Sequence, residues 1–147
     1  MGAVFSHIGI CVSDLDRSLR FYCDGLGFVA AESFTIGNDF ARLMDLEGVD
    51  LRSQYIRREG LSIELLSFVS PPTLGEAIRR PVNQLGLTHL SFRVDDVDAV
   101  AADIASLGGA VHDETRTTFE LGGGQVMDFV YCTDPDGTRI ELMNLPA

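Results

Sequence analysis

His7 and His89 open one pattern that the chain writes twice. His7-Ile-Gly-Ile-Cys-Val-Ser-Asp14-Leu-Asp16 is answered by His89-Leu-Ser-Phe-Arg-Val-Asp-Asp96-Val-Asp98. A second pair closes each copy, Ser62-Ile-Glu64-Leu-Leu against Arg139-Ile-Glu141-Leu-Met. The two His stand 82 residues apart and the two Glu 77, so the copies hold nearly one register and loops absorb the difference. Two imidazoles and two carboxylates at matched positions of a duplicated unit can converge on one divalent ion of the Zn, Ni, Co, Fe or Mn type. Four protein ligands on a six-coordinate ion leave two positions open. A substrate with two neighbouring oxygens can chelate there, and its carbonyl is then polarised.

The elements that must position these four residues follow from periodicity. Phe5–Val12 reads as a strand with Ile8, Ile10 and Val12 on one face and His7, Gly9 and Cys11 on the other. Asp14 is placed to cap a helix over Leu15–Cys23, which Leu26-Gly27 ends. Strands are expected near Phe28–Phe34, Leu51–Arg57 and Leu61–Phe68, the last two joined at Glu59-Gly60. Ser70-Pro-Pro-Thr-Leu-Gly75 breaks the pattern, and a short helical stretch is expected from there to about Arg80. Leu87–Val94 repeats the first strand, and Asp96 caps a helix of Val97, Val100, Ala101, Ile104 and Leu107. Gln125–Cys132 and Thr138–Leu145 pair across Asp134-Pro-Asp-Gly137.

The fold class is therefore α+β: two tandem βαβββ modules forming a curved sheet trough around a metal site. A single domain spans 1–147, with module 1 at about 1–70, a linker at about 70–86 and module 2 at about 87–147. A helix covers one face of each sheet, and the other face carries His and Glu. Polar alternates on strands this apolar, recurring in both halves, mark that second face as the functional one.

Composition excludes several classes. A net charge of −11 argues against nucleic acid, which needs a basic face. All eleven basic residues are Arg, which removes a Schiff-base or general-base lysine. No window approaches the roughly 18 apolar residues of a membrane span. Cys11, Cys23 and Cys132 are widely spaced without a Cys-x-x-Cys, and Met1–Val12 lacks a signal-peptide pattern, so a reduced, cytoplasmic setting is expected. Asp14, Asp16, Asp96 and Asp98 are explained by helix capping. His112 has no counterpart in the repeat and reads as a surface loop residue, and Gly122-Gly-Gly124 reads as a flexible connection or lid.

These residues resemble the vicinal oxygen chelate superfamily, which includes glyoxalase I, methylmalonyl-CoA epimerase, extradiol dioxygenases and the bleomycin and fosfomycin resistance proteins. The resemblance is carried by His7-Ile-Gly-Ile-x-Val-x-Asp14, Arg17-Ser-Leu-Arg-Phe-Tyr22 with Leu26-Gly27-Phe28, Thr88-His89-Leu-Ser-Phe, and Asp134-Pro-Asp-Gly-Thr-Arg-Ile-Glu141. It implies metal ligands His7, Glu64, His89 and Glu141, with Glu141 or Glu64 as general base. Glu64 favours the four-ligand lyase and isomerase branch, whose members move a proton next to a metal-bound carbonyl. Cys11 and Phe68 stand where glutathione-dependent relatives carry a basic residue and an Asn, so a glutathione substrate is not expected. Arg52 and Gln54 stand on the strand where the epimerases carry a further acid.

Arg93 and Arg139 lie on the ligand-bearing faces and are expected to meet an anionic group of a small-molecule substrate, with Phe68, Phe129 and Met143 as apolar walls. A homodimer is expected from the resemblance. Two further readings stay open: a non-haem iron dioxygenase using His7, His89 and Glu141, and a non-catalytic protein that binds a drug or metabolite.

Overall fold

The computed structural model describes residues 2–145; residues 1, 146 and 147, the outer bounds of the expected domain, lie outside the described residues. The chain divides into two compact units, residues 1–75 and 76–147. The first runs β1 (Ile8–Cys11), α1 (Leu15–Arg20), β2 (Val29–Ile36), a short α2 (Ala41–Met44), β3 (Asp50–Arg58) and β4 (Leu61–Ser70). The second runs β5 (Leu90–Arg93), α3 (Val97–Ser106), β6 (Ala110–Gly122), β7 (Gln125–Thr133) and β8 (Arg139–Asn144). Each unit holds a four-stranded sheet, ordered β1-β4-β3-β2 in one and β5-β8-β7-β6 in the other. The outer pairs β1/β4 and β5/β8 are parallel and the remaining pairs antiparallel. The two units thus share one topology, the βαβββ module.

Strand parity builds each sheet's two faces. On β4, Ile63 and Leu65 are fully buried, while Glu64 between them is only partly covered. On β8, Ile140 and Leu142 are fully buried and Glu141 is again turned away from them. Removing each such aliphatic side chain from water contributes about 1.5–3 kcal/mol. A one-residue slip would exchange these apolar residues with the carboxylates, so the same force that builds the core holds each Glu on the opposite face. Val12, Phe21, Tyr22, Leu51 and Ile56 join the fully buried core of the first unit, and Ile104 of α3 and Cys132 that of the second.

Both helices start as expected. Asp14 accepts from Arg17 N at 2.9 Å and Asp96 from Ala99 N at 2.9 Å. The first helix does not stay α-helical to Cys23. Residues Phe21–Gly25 form a single wider π turn, in which the consecutive rings of Phe21 and Tyr22 are both fully buried. Glu59 and Gly60 take φ of 49° and 82°, the two left-handed residues that a tight hairpin between β3 and β4 requires.

Two expectations are corrected, over 75–80 and at His112. No helix forms between Gly75 and Arg80, because Pro81 biases the residue before it away from helical backbone and leaves too short a run. Gly122-Gly-Gly124 is the connection of β6 to β7, with Gly122 paired to Gln125 across a two-residue turn. His112 lies on β6, not in a loop. It is in register with Tyr131, its side chain is 20% exposed, and its Nε2 is buried without a hydrogen-bond partner. Burial, followed by the nearby Arg79 guanidinium, lowers its pKa from 6.5.

The residues before β5 belong structurally to the second unit. Arg79 pairs with Glu114 at 2.9 Å, and the Arg80 carbonyl accepts from Arg139 Nη2 at 2.5 Å. Gly137, at φ 88°, lies directly against the Ile78 backbone, where a Cβ would come within 2.6 Å.

Candidate metal centre

Each unit brings one predicted His to one predicted Glu. His7 precedes β1 by one residue, and its Nε2 lies 3.1 Å from Glu64 Oε2. His89 precedes β5 by one residue, and its Nε2 lies 3.6 Å from Glu141 Oε2. The parallel pairing of β1 on β4, and of β5 on β8, accounts for the juxtaposition: Ile8 is in register with Ile63 and Leu90 with Ile140, so the residue before each strand reaches the Glu face. Each pair is half-buried, with its carboxylate the more covered member.

The surroundings repeat as well. Ser6 Oγ lies 2.9 Å from His7 Nδ1, and Thr88 Oγ1 lies 2.9 Å from His89 Nδ1. When Nδ1 is protonated and donates to that hydroxyl, Nε2 presents the lone pair a metal takes, the arrangement second-shell partners enforce in metal sites. Tyr55 is in register with Glu64 and sets its ring edge-on to His7 at 5.2 Å; Tyr131 is in register with Glu141 and meets His89 at 5.6 Å. The donor set and its hydroxyl supports therefore fit a divalent ion. Among the described residues, no group of three or more His, Cys, Asp or Glu is arranged to hold a metal ion. The structure shows the four expected ligands as two His–Glu pairs.

The two carboxylates are held from different sides. Glu64 accepts from Ser53 Oγ at Oε1 and also from the Tyr55 hydroxyl. Burial first, and then the Glu64 charge, push the Tyr55 phenol up from its ordinary pKa, so it keeps the proton it donates. Glu141 instead accepts from Ser91 Oγ at 2.7 Å, across from β5. The position of β1 in register with Glu64 is Gly9, and the position of β7 two residues before Tyr131 is Phe129, so the hydroxyl has changed sides between the units. On the side that Ser53 occupies in the first unit, the second has a cavity of about 250 Å³. Thr115, Thr117, Phe119, Phe129, Tyr131 and Glu141 line it.

The other sequence-predicted residues divide. Phe129 lines this cavity, and Met143 is in register with both Phe129 and Arg93. Arg93 is exposed at the end of β5. Phe68 is partly covered on β4, in register with Leu51. Arg139 is buried at 8% exposure, with its guanidinium 4.7 Å above the Tyr131 ring and donating to the Arg80 carbonyl. The protein itself engages that cation.

Ser53, Tyr55, Ser91 and Tyr131 went unread in the sequence. A signal for the tyrosines exists: Tyr55 stands nine residues before Glu64 and Tyr131 ten before Glu141, across a hairpin in each copy. A hydroxyl residue before each His, Ser6 and Thr88, is a second one.

Comparison with known proteins identifies the family of this repeated fold. The profile of the glyoxalase/bleomycin resistance protein/dioxygenase superfamily matches residues 4–142. The chain is 35% identical over 137 residues to the uncharacterized protein YaeR of Escherichia coli K12, covering 92% of each protein. It is 28% identical over 151 residues to a 2-epi-5-epi-valiolone epimerase of Actinomyces sp., covering 96% of this chain and 79% of that one. A glyoxalase family protein from Bacillus cereus superimposes with a TM-score of 0.80 at 22% identity, over 95% of this chain and 92% of the other. With a repeated βαβββ module and a His–Glu pair in each copy, this chain belongs to the glyoxalase/bleomycin resistance protein/dioxygenase superfamily.

Proposed function

We propose that this protein is a divalent-metal-dependent lyase or isomerase that moves a proton on the carbon next to a carbonyl of a small substrate. His7, Glu64, His89 and Glu141 would hold the ion, which supplies Lewis-acid polarisation of the carbonyl when bound. The single observation that carries the reading is the repeated His–Glu pair, each His backed by a hydroxyl at Nδ1. One pair per unit means that four-fold protein ligation needs two units, from one chain or from two chains of a homodimer.

The hydrogen bonds divide the labour between the carboxylates. Glu64 is gripped by Ser53 and Tyr55 beside His7, which suits a permanent ligand. Each hydrogen bond to a charged group is worth about 1.5–3 kcal/mol, so letting Glu64 swing free costs more than releasing Glu141. Glu141 has the single Ser91 hydroxyl behind it and the cavity before it. It is the carboxylate able to take the substrate proton and return it, as a general base within reach of the reacting carbon must. Retention of Glu64 in this bonded state supports four-ligand chemistry over a three-ligand iron dioxygenase. Relationship to an epimerase supports the isomerase class.

The test is elemental mass spectrometry of wild type and Glu64→Gln, together with solvent deuterium exchange of α-protons followed by NMR. Stoichiometric metal in wild type, reduced in Glu64→Gln, with α-proton exchange lost in Glu141→Gln, is the expected result. Wild type that retains no metal after reconstitution would overturn it.

A further inference from the structure

We propose that the cavity beside Glu141 binds an uncharged, largely apolar substituent of the substrate, the size of a substituted six-membered ring or a short branched chain. This rests on Glu141 being the proton-transfer group. On the side of the carboxylate where Ser53 stands in the first unit, the second has Phe129 and a cavity lined by Phe119, Phe129 and Tyr131. Phe119 and Phe129 meet edge-to-face at 6.2 Å, an aromatic wall whose outer ring, Phe119, is half exposed. An apolar cavity of about 150 Å³ already admits benzene; this one is about 250 Å³.

The two threonine hydroxyls of the lining are spoken for. Thr115 Oγ1 donates to the His112 carbonyl at 2.7 Å and accepts from Tyr131 N at 2.9 Å. Thr117 Oγ1 donates to the Thr115 carbonyl at 3.1 Å. Neither hydroxyl keeps its proton for a ligand. No cation lines the cavity, and its one charged group is the Glu141 carboxylate.

The neighbouring arginines are engaged elsewhere. Arg116 is bound to Asp98 and Asp128, Arg79 to Glu114, and Arg139 to the Arg80 carbonyl and the Tyr131 ring. A carboxylate, phosphonate or phosphate placed here would find no cationic side chain in the lining and only the Tyr131 phenol to donate to it, at the cost of its hydration. The chemistry of the walls therefore favours an uncharged, apolar substituent on this side of Glu141.

The probes are 2-hydroxyacetophenone, a neutral aryl α-hydroxyketone, and its ring-carboxylated analogue. Each is titrated into the full chain, with and without Zn(II), and followed by the methyl resonances of Thr115 and Thr117 and the ring resonances of Phe129. The neutral probe is expected to shift these resonances saturably and to bind at least about tenfold more tightly than the carboxylate. Thr117→Arg, on an exposed position that leaves the core untouched, should reverse the preference. Phe129→Ser should weaken the neutral probe about tenfold, with circular dichroism confirming the fold. Equal or tighter binding of the carboxylate, shifts confined to other residues, or no saturable shift would overturn the proposal. Failure of the enzyme reading looks different: the neutral probe binds at these residues, but its α-proton never exchanges with solvent in the Zn(II)-loaded protein.

Discussion

Two hydroxyls, those of Ser53 and Tyr55, are predicted to set the metal affinity of the first His–Glu pair without touching the ion. Both donate to Glu64, whose other flank faces His7 Nε2 at 3.1 Å. Removing one donor takes away a hydrogen bond to a charged acceptor, worth about 1.5–3 kcal/mol. Part of that returns as water reaches the half-exposed site, which places Ser53→Ala within the roughly 10–100-fold loss of affinity typical of second-shell partners. Tyr55→Phe should fall near the lower bound, about tenfold, because the edge-on ring contact with His7 survives the change. The double variant should be weaker than either single one yet short of their product, since both hydroxyls act on one carboxylate. The assay is competition for Zn(II) against a chromophoric chelator, starting from metal-free protein. Ser106→Ala is the control, because its hydroxyl bonds only the Asp103 carbonyl within α3. If Ser53→Ala and Tyr55→Phe hold Zn(II) as wild type does, while Glu64→Gln releases it, the hydroxyls do not orient the ligand and the division of roles between Glu64 and Glu141 falls with them.

Three more outcomes can be checked independently. Gly137→Ala forces a Cβ to within 2.6 Å of the Ile78 backbone at a φ of 88°, and should destabilise the protein by about 1–3 kcal/mol in urea unfolding; an unchanged midpoint would mean the 76–80 segment is not packed there. Because His112 is held neutral by burial and by Arg79, its folded pKa lies below the unfolded 6.5. The stability it contributes is full above 6.5 and declines as pH falls below it, since the unfolded chain then binds the proton first; His112→Gln should flatten that part of the stability–pH curve, and an identical curve would count against it. Asp96→Ala removes the acceptor for Ala99 N and should cost about 0.5–2 kcal/mol in thermal unfolding, with Asp14→Ala behaving alike.

The sequence by itself determined the repeat, the βαβββ order and the recurrence of one His and one Glu in each copy, because all three are written in local periodicity. Alternation on β4 and β8 commits Ile63, Leu65, Ile140 and Leu142 to the core, and that commitment leaves Glu64 and Glu141 only one face to occupy. Capping was equally legible, since an Asp acts on an amide three residues away. What needed the tertiary structure was everything decided between strands distant in the chain. Register placed Tyr55 and Tyr131 opposite the carboxylates, and it placed His112 beside Tyr131 although its own neighbours read as loop. The pre-β5 segment bound Arg139 through a backbone carbonyl, a contact with no signature in composition or spacing, and so drew inward a cation that strand parity had aimed at substrate. The exchange of Ser53 for Phe129, and of Gly9 for Ser91, is visible as letters once the copies are aligned. Its consequence, one carboxylate clamped and the other facing a cavity, exists only where cross-strand pairing brings those side chains to the same Glu.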